Sequence, residues 1–359
     1  MIARSVTATT PRTAREAHAT TASDLLREAR TLVTPVLRVC VATQPTPIRR
    51  IAEYHFGWTD LDGCRHATDG SWGEGERAAL VLACARAVGG QTALAVPAAA
   101  AVELVHNASL IHDDVVDQDT MRRHRPAVWT AFDTAAAILA GDGLFFSSVE
   151  ALLDSSSRHS VTAIAALIDV VKRLLAGERS DLEFERRRDV SLAEAMAMAA
   201  AKTAALTEGA CALGALYGDA SREQISALRL FGHHLGIACQ LIDDYMGIWG
   251  EPVVTGKPAL GDLRRHKKSL PVVAALETKT QASTELAALY FDEGPLTDAQ
   301  AAKAADLIEQ TGARTWVLDE ARNHSANALE YLAAARPTAE GFTQLTALAG
   351  LVANPIALP

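Results

Sequence analysis

Apolar residues recur every three or four positions along almost the whole chain, and no stretch alternates over strand length. Such spacing lines one face of an α-helix, whereas a half-buried strand needs an apolar side chain at every second position. The pattern predicts helices over Ala78 to Val88, Val96 to Val116, Val161 to Leu175, Leu192 to Leu216, Gln224 to Ile242 and Ala299 to Ile308. Three helix starts carry a capping-box pair: Ser191 with Glu194, Ser221 with Gln224, and Thr297 with Gln300. In each pair the two side chains satisfy amides that a first helical turn leaves without partners. Pro97 falls in a first turn, where its missing amide hydrogen does little harm. The breaks are Asp60 to Gly75, Asp154 to Ser160 and Glu251 to Gly261, rich in Gly, Asp, Ser or Pro, and none reads as an interdomain linker. The expectation is one all-α domain over residues 24–359. Residues 1–23 hold a single acid, Glu16, and are otherwise rich in Thr, Ala, Ser and Arg, a composition read as a disordered tail.

With 359 residues, 49% of them hydrophobic, the chain can bury a sizeable core. Only 5% are aromatic, which suits closely packed alanine-rich helices better than a sandwich of sheets. The net charge of -9 leaves no broad basic face for nucleic acid. Positive charge is local instead, at Arg122-Arg123-His124-Arg125, Arg186-Arg187-Arg188 and Arg264-Arg265-His266-Lys267-Lys268. Five scattered cysteines, with no CxxC pair, indicate neither a disulfide framework nor a zinc ribbon, but reduced buried thiols of a cytoplasmic protein. No apolar run is expected to span a bilayer.

Two aspartate clusters stand out: Asp113-Asp114-Val115-Val116-Asp117, and Asp243-Asp244. Each ends an apolar helical run, where carboxylates are costly unless positive charge meets them. On a helix Asp113 and Asp117 share a face, with Asp114 beside them. Magnesium suits such a set, because it prefers oxygen ligands and commonly bridges one or two carboxylates to phosphate. Arg122 follows closely enough to contact the remaining phosphate oxygens. On the second helix Gln240 precedes Asp243-Asp244, and a loop with Lys257, Asp262 and Lys267-Lys268 follows. Lysines in such a loop suit closure over a diphosphate.

At these residues the chain resembles the trans-isoprenyl diphosphate synthases, the polyprenyl synthetase family, and in particular geranylgeranyl diphosphate synthases. The stretch from Glu103 through Asp113-Asp114-Val-Val-Asp117 to Arg122-Arg123 resembles the first aspartate-rich motif with its arginine pair. Gly236 to Asp244 resembles the second. Thr255-Gly-Lys257-Pro and Asp262 to Pro271 resemble the loop that follows, and Lys202-Thr203 a diphosphate-binding pair. The likeness runs from about Ile48 to at least Pro271. It implies antiparallel helices around a deep cavity, usually a homodimer, and three magnesium ions between the acidic motifs. It implies a prenyltransferase in which diphosphate leaves an allylic substrate and isopentenyl diphosphate attacks the resulting cation. By resemblance, Asp113, Asp114, Asp117, Asp243 and Asp244 are metal-side residues. Arg122, Lys202, Gln240, Lys257 and Lys267 serve the allylic diphosphate, and Arg77, His106 and Arg123 serve isopentenyl diphosphate.

The chain departs from the family pattern at three places. Glu74 stands where a lysine is usual before Arg77, Glu178 follows Gly177 where a glutamine is usual, and Gly247 replaces the last aspartate of the second motif, with Glu251 nearby. These changes keep two other readings open: a diterpene cyclase on the same fold, which needs no second diphosphate site, and a silent subunit partnering an active synthase. In the family, the residue five before the first aspartate lines the tail of the product cavity. Here it is Ala108, followed by Ser109; small side chains leave the cavity open and favour a C20 product.

Overall fold

The computed structural model describes residues 11–66, 72–155, 157–250, 260–291 and 294–353. The described chain is helical nearly throughout. It begins with α1 (Pro11–Ala42), α2 (Thr46–His55), α3 (Glu76–Ala87) and α4 (Thr92–Val116). A two-stranded antiparallel hairpin, β1 (Met121–Arg122) and β2 (Arg125–Pro126), interrupts the helices. Then come α5 (Val128–Ala131), α6 (Thr134–Leu153) and α7 (Ser160–Arg186). The helix α8 (Leu192–Ala199) runs through a π turn (Ala200–Ala204) into α9 (Ala205–Tyr217), and α10 (Arg222–Trp249) follows. The chain continues through α11 (Gly261–Arg264), α12 (Leu270–Glu277), α13 (Gln281–Tyr290), α14 (Asp298–Gln310), α15 (Ala313–Ala334) and α16 (Ala339–Ala353).

The three capping boxes form as expected, at Ser191, Ser221 and Thr297. The main core is built where α3, α4, α9 and α10 meet, around Leu104, Ile111, Leu213, Leu228 and Phe231, all fully buried. Small residues set the spacing: Ala98 to Ala101 of α4 are wholly buried, so backbones rather than long side chains meet there. A second core of Ile248, Leu263, Val272, Leu286, Tyr290 and Ile308 closes the carboxyl end of α10 under α11 to α14. The two aspartate clusters, at the carboxyl end of α4 and about two turns before the end of α10, therefore sit on rigid supports.

Two expectations need correction, on membrane-length helices and on the cysteines. The first helix, α1, begins at Pro11, and residues 1–10 lie outside the described residues. By length and composition α4, α6 and α10 are apolar enough to cross a membrane. Their most apolar stretches are 67%, 44% and 50% buried within the protein, where they contribute to its core. All five cysteines are free thiols, but Cys64 is exposed rather than buried.

Candidate active site

The first cluster divides by face. Asp114 is buried and accepts from Nε and Nη2 of Arg122 at 2.9 and 2.5 Å, which binds the hairpin to the end of α4. Asp113 and Asp117 are only half-buried and face a pair of lysines. The Lys202 ammonium lies 2.8 Å from Glu178, 2.8 Å from Asp181 and 3.9 Å from Asp113. Lys267 reaches the same Asp181 oxygen at 3.6 Å. Burial disfavours both ammonium charges, yet the surrounding carboxylates outweigh it and raise both lysines above their ordinary range. Burial, then Asp113, pushes Glu178 up to about 7. The two lysines in turn hold Asp181 below its usual range against its burial.

Lys202 owes its position to local backbone geometry. It lies in the π turn, a wide turn that recurs at functional sites because it offsets one side chain from the helical register. Gly177 of α7 makes this possible, because a Cβ there would collide with the backbone nitrogen of Lys202. Beside Lys202, the Thr203 hydroxyl donates to Gln240 Oε1, and Gln240 Nε2 donates to Asp244 at 2.6 Å. The other Asp244 oxygen accepts from the backbone amide of Leu270 at 2.7 Å, the first residue of α12. Both oxygens of this buried carboxylate are thus taken by protein donors, and burial pushes it up to about 7. Asp243 is the exposed member of the pair.

A second cluster gathers where α2, α3, α4 and the hairpin meet. Arg77 Nη1 lies 3.4 Å from His106 Nε2, and both Nη atoms of Arg123 donate to Asn107 Oδ1 at 3.3 Å. His55 bonds the same Asn107 oxygen at 3.1 Å. Burial, then the neighbouring arginines, lowers both His55 and His106 well below their ordinary range, so neutral rings face the guanidinium groups. Glu103, 2% exposed, accepts from the amide of Ala78 at 2.9 Å at the start of α3. Among the described residues, Arg77 Nε is buried without a hydrogen-bond acceptor, an unmet donor in a basic cluster. A cleft of about 350 Å³ opens at the hairpin, lined by His55, His66, Arg122, Arg123 and Arg125.

The hairpin that presents Arg123 is strained. Arg123 and His124 occupy its turn at φ of 51° and 61°, a region non-glycine residues enter at about 1–3 kcal/mol each. Arg125 anchors it by donating to the carbonyls of Tyr54 and Thr59, both at 2.9 Å, with its guanidinium 4.2 Å from the Tyr54 ring centre.

The structure therefore brings Asp113, Asp117, Lys202 and Lys267 together, and Arg77, His106 and Arg123 together, with Arg122 and Asp114 between. Lys257 and Glu251 lie outside the described residues. Ala108 is fully buried in α4, and the Ser109 hydroxyl turns back to the His106 carbonyl at 2.8 Å. Sequence reasoning gave no role to Asp181, His55 and Asn107, and named Glu103 only as the start of the first motif, because none belongs to the aspartate clusters or their basic neighbours. The sequence did carry a signal for Asp181: it lies one helical turn after Glu178 on a face shared with Gly177.

Among the described residues no three His, Cys, Asp or Glu side chains form a ready-made metal cage. Magnesium does not need one, since it keeps waters and binds through one or two carboxylates plus substrate phosphate. The charge balance fits it: four acids, Asp113, Asp117, Glu178 and Asp181, face two lysines, and Glu178 Oε1 is buried with no donor among the described residues.

Comparison with known proteins agrees with this geometry. The sequence profile described as Polyprenyl synthetase matches residues 66–308. A geranylgeranyl diphosphate synthase of Mycobacterium tuberculosis (strain H37Rv) is 45% identical over 289 residues, 80% of this chain and 82% of its own. A (2E,6E)-farnesyl diphosphate synthase of the same strain is 42% identical over 319 residues, 87% and 88%. The crystal structure of a polyprenyl synthetase from Streptomyces coelicolor A3(2) superposes with a TM-score of 0.87 at 40% identity, covering 92% of this chain and 99% of that one.

Proposed function

Because the chain belongs to the polyprenyl synthetase family of magnesium-dependent isoprenyl diphosphate synthases, we propose that it extends an allylic diphosphate with isopentenyl diphosphate to geranylgeranyl diphosphate. The observation that carries this reading is the convergence of Arg77, His106 and Arg123, residues from three separate elements, on a second basic site. A cyclase would have no evident reason to keep these three residues together.

In this reading Arg77 and Arg123 grip the diphosphate of isopentenyl diphosphate, and neutral His106 orients Arg77 without adding repulsion. Arg122, Lys202, Lys267 and the Thr203–Gln240 pair hold the allylic diphosphate, with Lys257 as a further candidate from its loop. Asp113, Asp117 and Asp243 are the carboxylates that would hold magnesium, three ions per site in this proposal. Asp114 and Asp244 position Arg122, Gln240 and α12 for that set. Bound magnesium would supply positive charge to the departing diphosphate. The allylic carbon–oxygen bond breaks with its electron pair going to diphosphate. The double bond of isopentenyl diphosphate then forms a bond to that carbon, and the departed diphosphate takes up the proton whose loss restores a double bond. Apolar side chains of α4 keep water from the cation.

Small Ala108 and Ser109 support a C20 product over a shorter one. Incubation with isopentenyl diphosphate, magnesium and each of dimethylallyl, geranyl and farnesyl diphosphates, followed by mass spectrometry, tests the whole reading. A C20 diphosphate is expected; arrest at C15 overturns the product length, and no elongation from any primer overturns the function.

We place the enzyme in the cytoplasm as a homodimer. Leu139, Phe146 and Leu153 on α6, and Val161, Ile168 and Leu175 on α7, are exposed at seven-residue steps, Phe146 by 71% and Val161 by 79%. Such stripes suit helix pairing with a second copy. The five free thiols suit a reducing compartment.

A further inference from the structure

We infer that Asp262 supplies, from outside the second motif, the carboxylate that position 247 lacks, and so completes the metal side around Asp243. The inference rests on the reading of Asp243 as a metal-side residue. Positions 243 and 247 are four apart on α10 and share a face, so a side chain at 247 would stand next to Asp243. At 247 there is only glycine, within the last turn of a long helix. The space above it is not empty: a Cβ built there would run into Asp262 Oδ2. The carboxylate from α11 thus occupies the volume that an aspartate at 247 would claim.

Asp262 is also held in that position. Its carbonyl accepts from the Lys267 amide at 3.0 Å, which fixes the turn that carries it. Arg265 reaches its Oδ1 at 3.5 Å, while the same guanidinium bonds Asp119 at 3.0 Å and the Asp117 carbonyl at 3.3 Å. One arginine therefore links Asp262 to the end of the first cluster and leaves Oδ2 turned toward Gly247. The side chain is 23% exposed, so an ion and its waters can approach it. Its charge is felt at both Asp244 and Lys267, which places it within the same electrostatic neighbourhood.

A purely structural Asp262 would serve only as the partner of Arg265, and calorimetric titration of the full-length protein with magnesium and inorganic pyrophosphate separates the two roles. Asp262→Ala should weaken magnesium-dependent pyrophosphate binding on the order of tenfold, the usual effect of removing a group that supports a metal. The double variant Gly247→Asp with Asp262→Ala moves the carboxylate to the motif position and should regain most of that affinity. Wild-type affinity in Asp262→Ala would overturn the inference. So would a weakened Asp262→Ala that the double variant fails to rescue, because the loss would then come from Arg265. Asp243→Ala is the control for the underlying reading: if it binds like wild type, the metal-side assignment itself fails, whatever Asp262 does.

Discussion

The Lys202 ammonium is 2.8 Å from Glu178. A lysine suited to holding diphosphate is thus already held by a carboxylate of its own protein. Substrate must displace that contact, and an ionised Glu178 resists while a protonated one yields. With Glu178 raised to about 7, the competition sets in across neutrality. Glu178→Gln should therefore lower the KM for the allylic diphosphate several-fold at pH 8 and change it little at pH 6. Steady-state kinetics at the two values checks this, and equal effects at both would remove Glu178 from the competition.

The same shift has a sign for stability. Glu178 binds its proton more tightly when folded, at about 7 against 4.5. Its contribution is fully present below about pH 4.5 and is lost as pH rises through 7. The melting temperature of metal-free Glu178→Gln, relative to wild type, should climb between pH 5 and pH 8. A difference independent of pH would show that Glu178 stays ionised throughout.

Neighbouring aspartates should fail in different ways. Asp113→Ala and Asp243→Ala should reduce turnover by about 10²–10³ or more with an unchanged melting curve, as loss of charge stabilisation at a departing group does. Asp244→Ala removes an acceptor for Gln240 and for the first amide of α12, and should cost about 1–3 kcal/mol of stability. Denaturant titration beside kinetics separates them; equal destabilisation of all three would refute the division.

Glu74 is exposed, yet it lies close enough to Arg123 to favour that guanidinium's charge. Arg123 itself is lowered to about 10, by burial first and then by Arg122. Glu74→Lys replaces repulsion toward an incoming diphosphate by attraction. The KM for isopentenyl diphosphate should fall several-fold, with that for the allylic substrate unchanged.

Ala108→Phe should shift the product from C20 toward C15 or C10, read by mass spectrometry of the dephosphorylated alcohols. An unshifted product would mean that the tail of the growing chain does not pass this residue.

Periodicity made the α4 and α10 supports legible, with a capping box at the start of α10, because each buries an apolar stripe and carries aspartates toward its carboxyl end. The helix α6 was not legible: it is apolar nearly all round, with Gly141-Asp142-Gly143 in its middle, so no single face stood out. The aspartate triplet could be read as a unit, but its division could not. Whether Asp114 or Asp113 turns toward the lysines depends on where the hairpin delivers Arg122, and that hairpin has only two residues in each strand. Asp262 was legible as part of a basic loop, not as the occupant of the space above Gly247, because nothing local links positions fifteen residues apart across a break.

The wide turn at Ala200–Ala204 makes α8 and α9 one rod with two phases. Each α-helical residue advances about 100° around the axis, so one surplus residue rotates everything beyond it by that amount. Upstream, the rod turns Ala195 and Ala199 toward the α10 and α12 side; downstream, it turns Gly209 and Gly214 toward α7 and α3. A one-residue deletion at 200–204 would restore a regular helix, and in doing so force one of these two seams out of alignment. The irregularity is thus what lets a single helix serve both the framework and the reaction, and the length of this segment is as constrained as its chemistry.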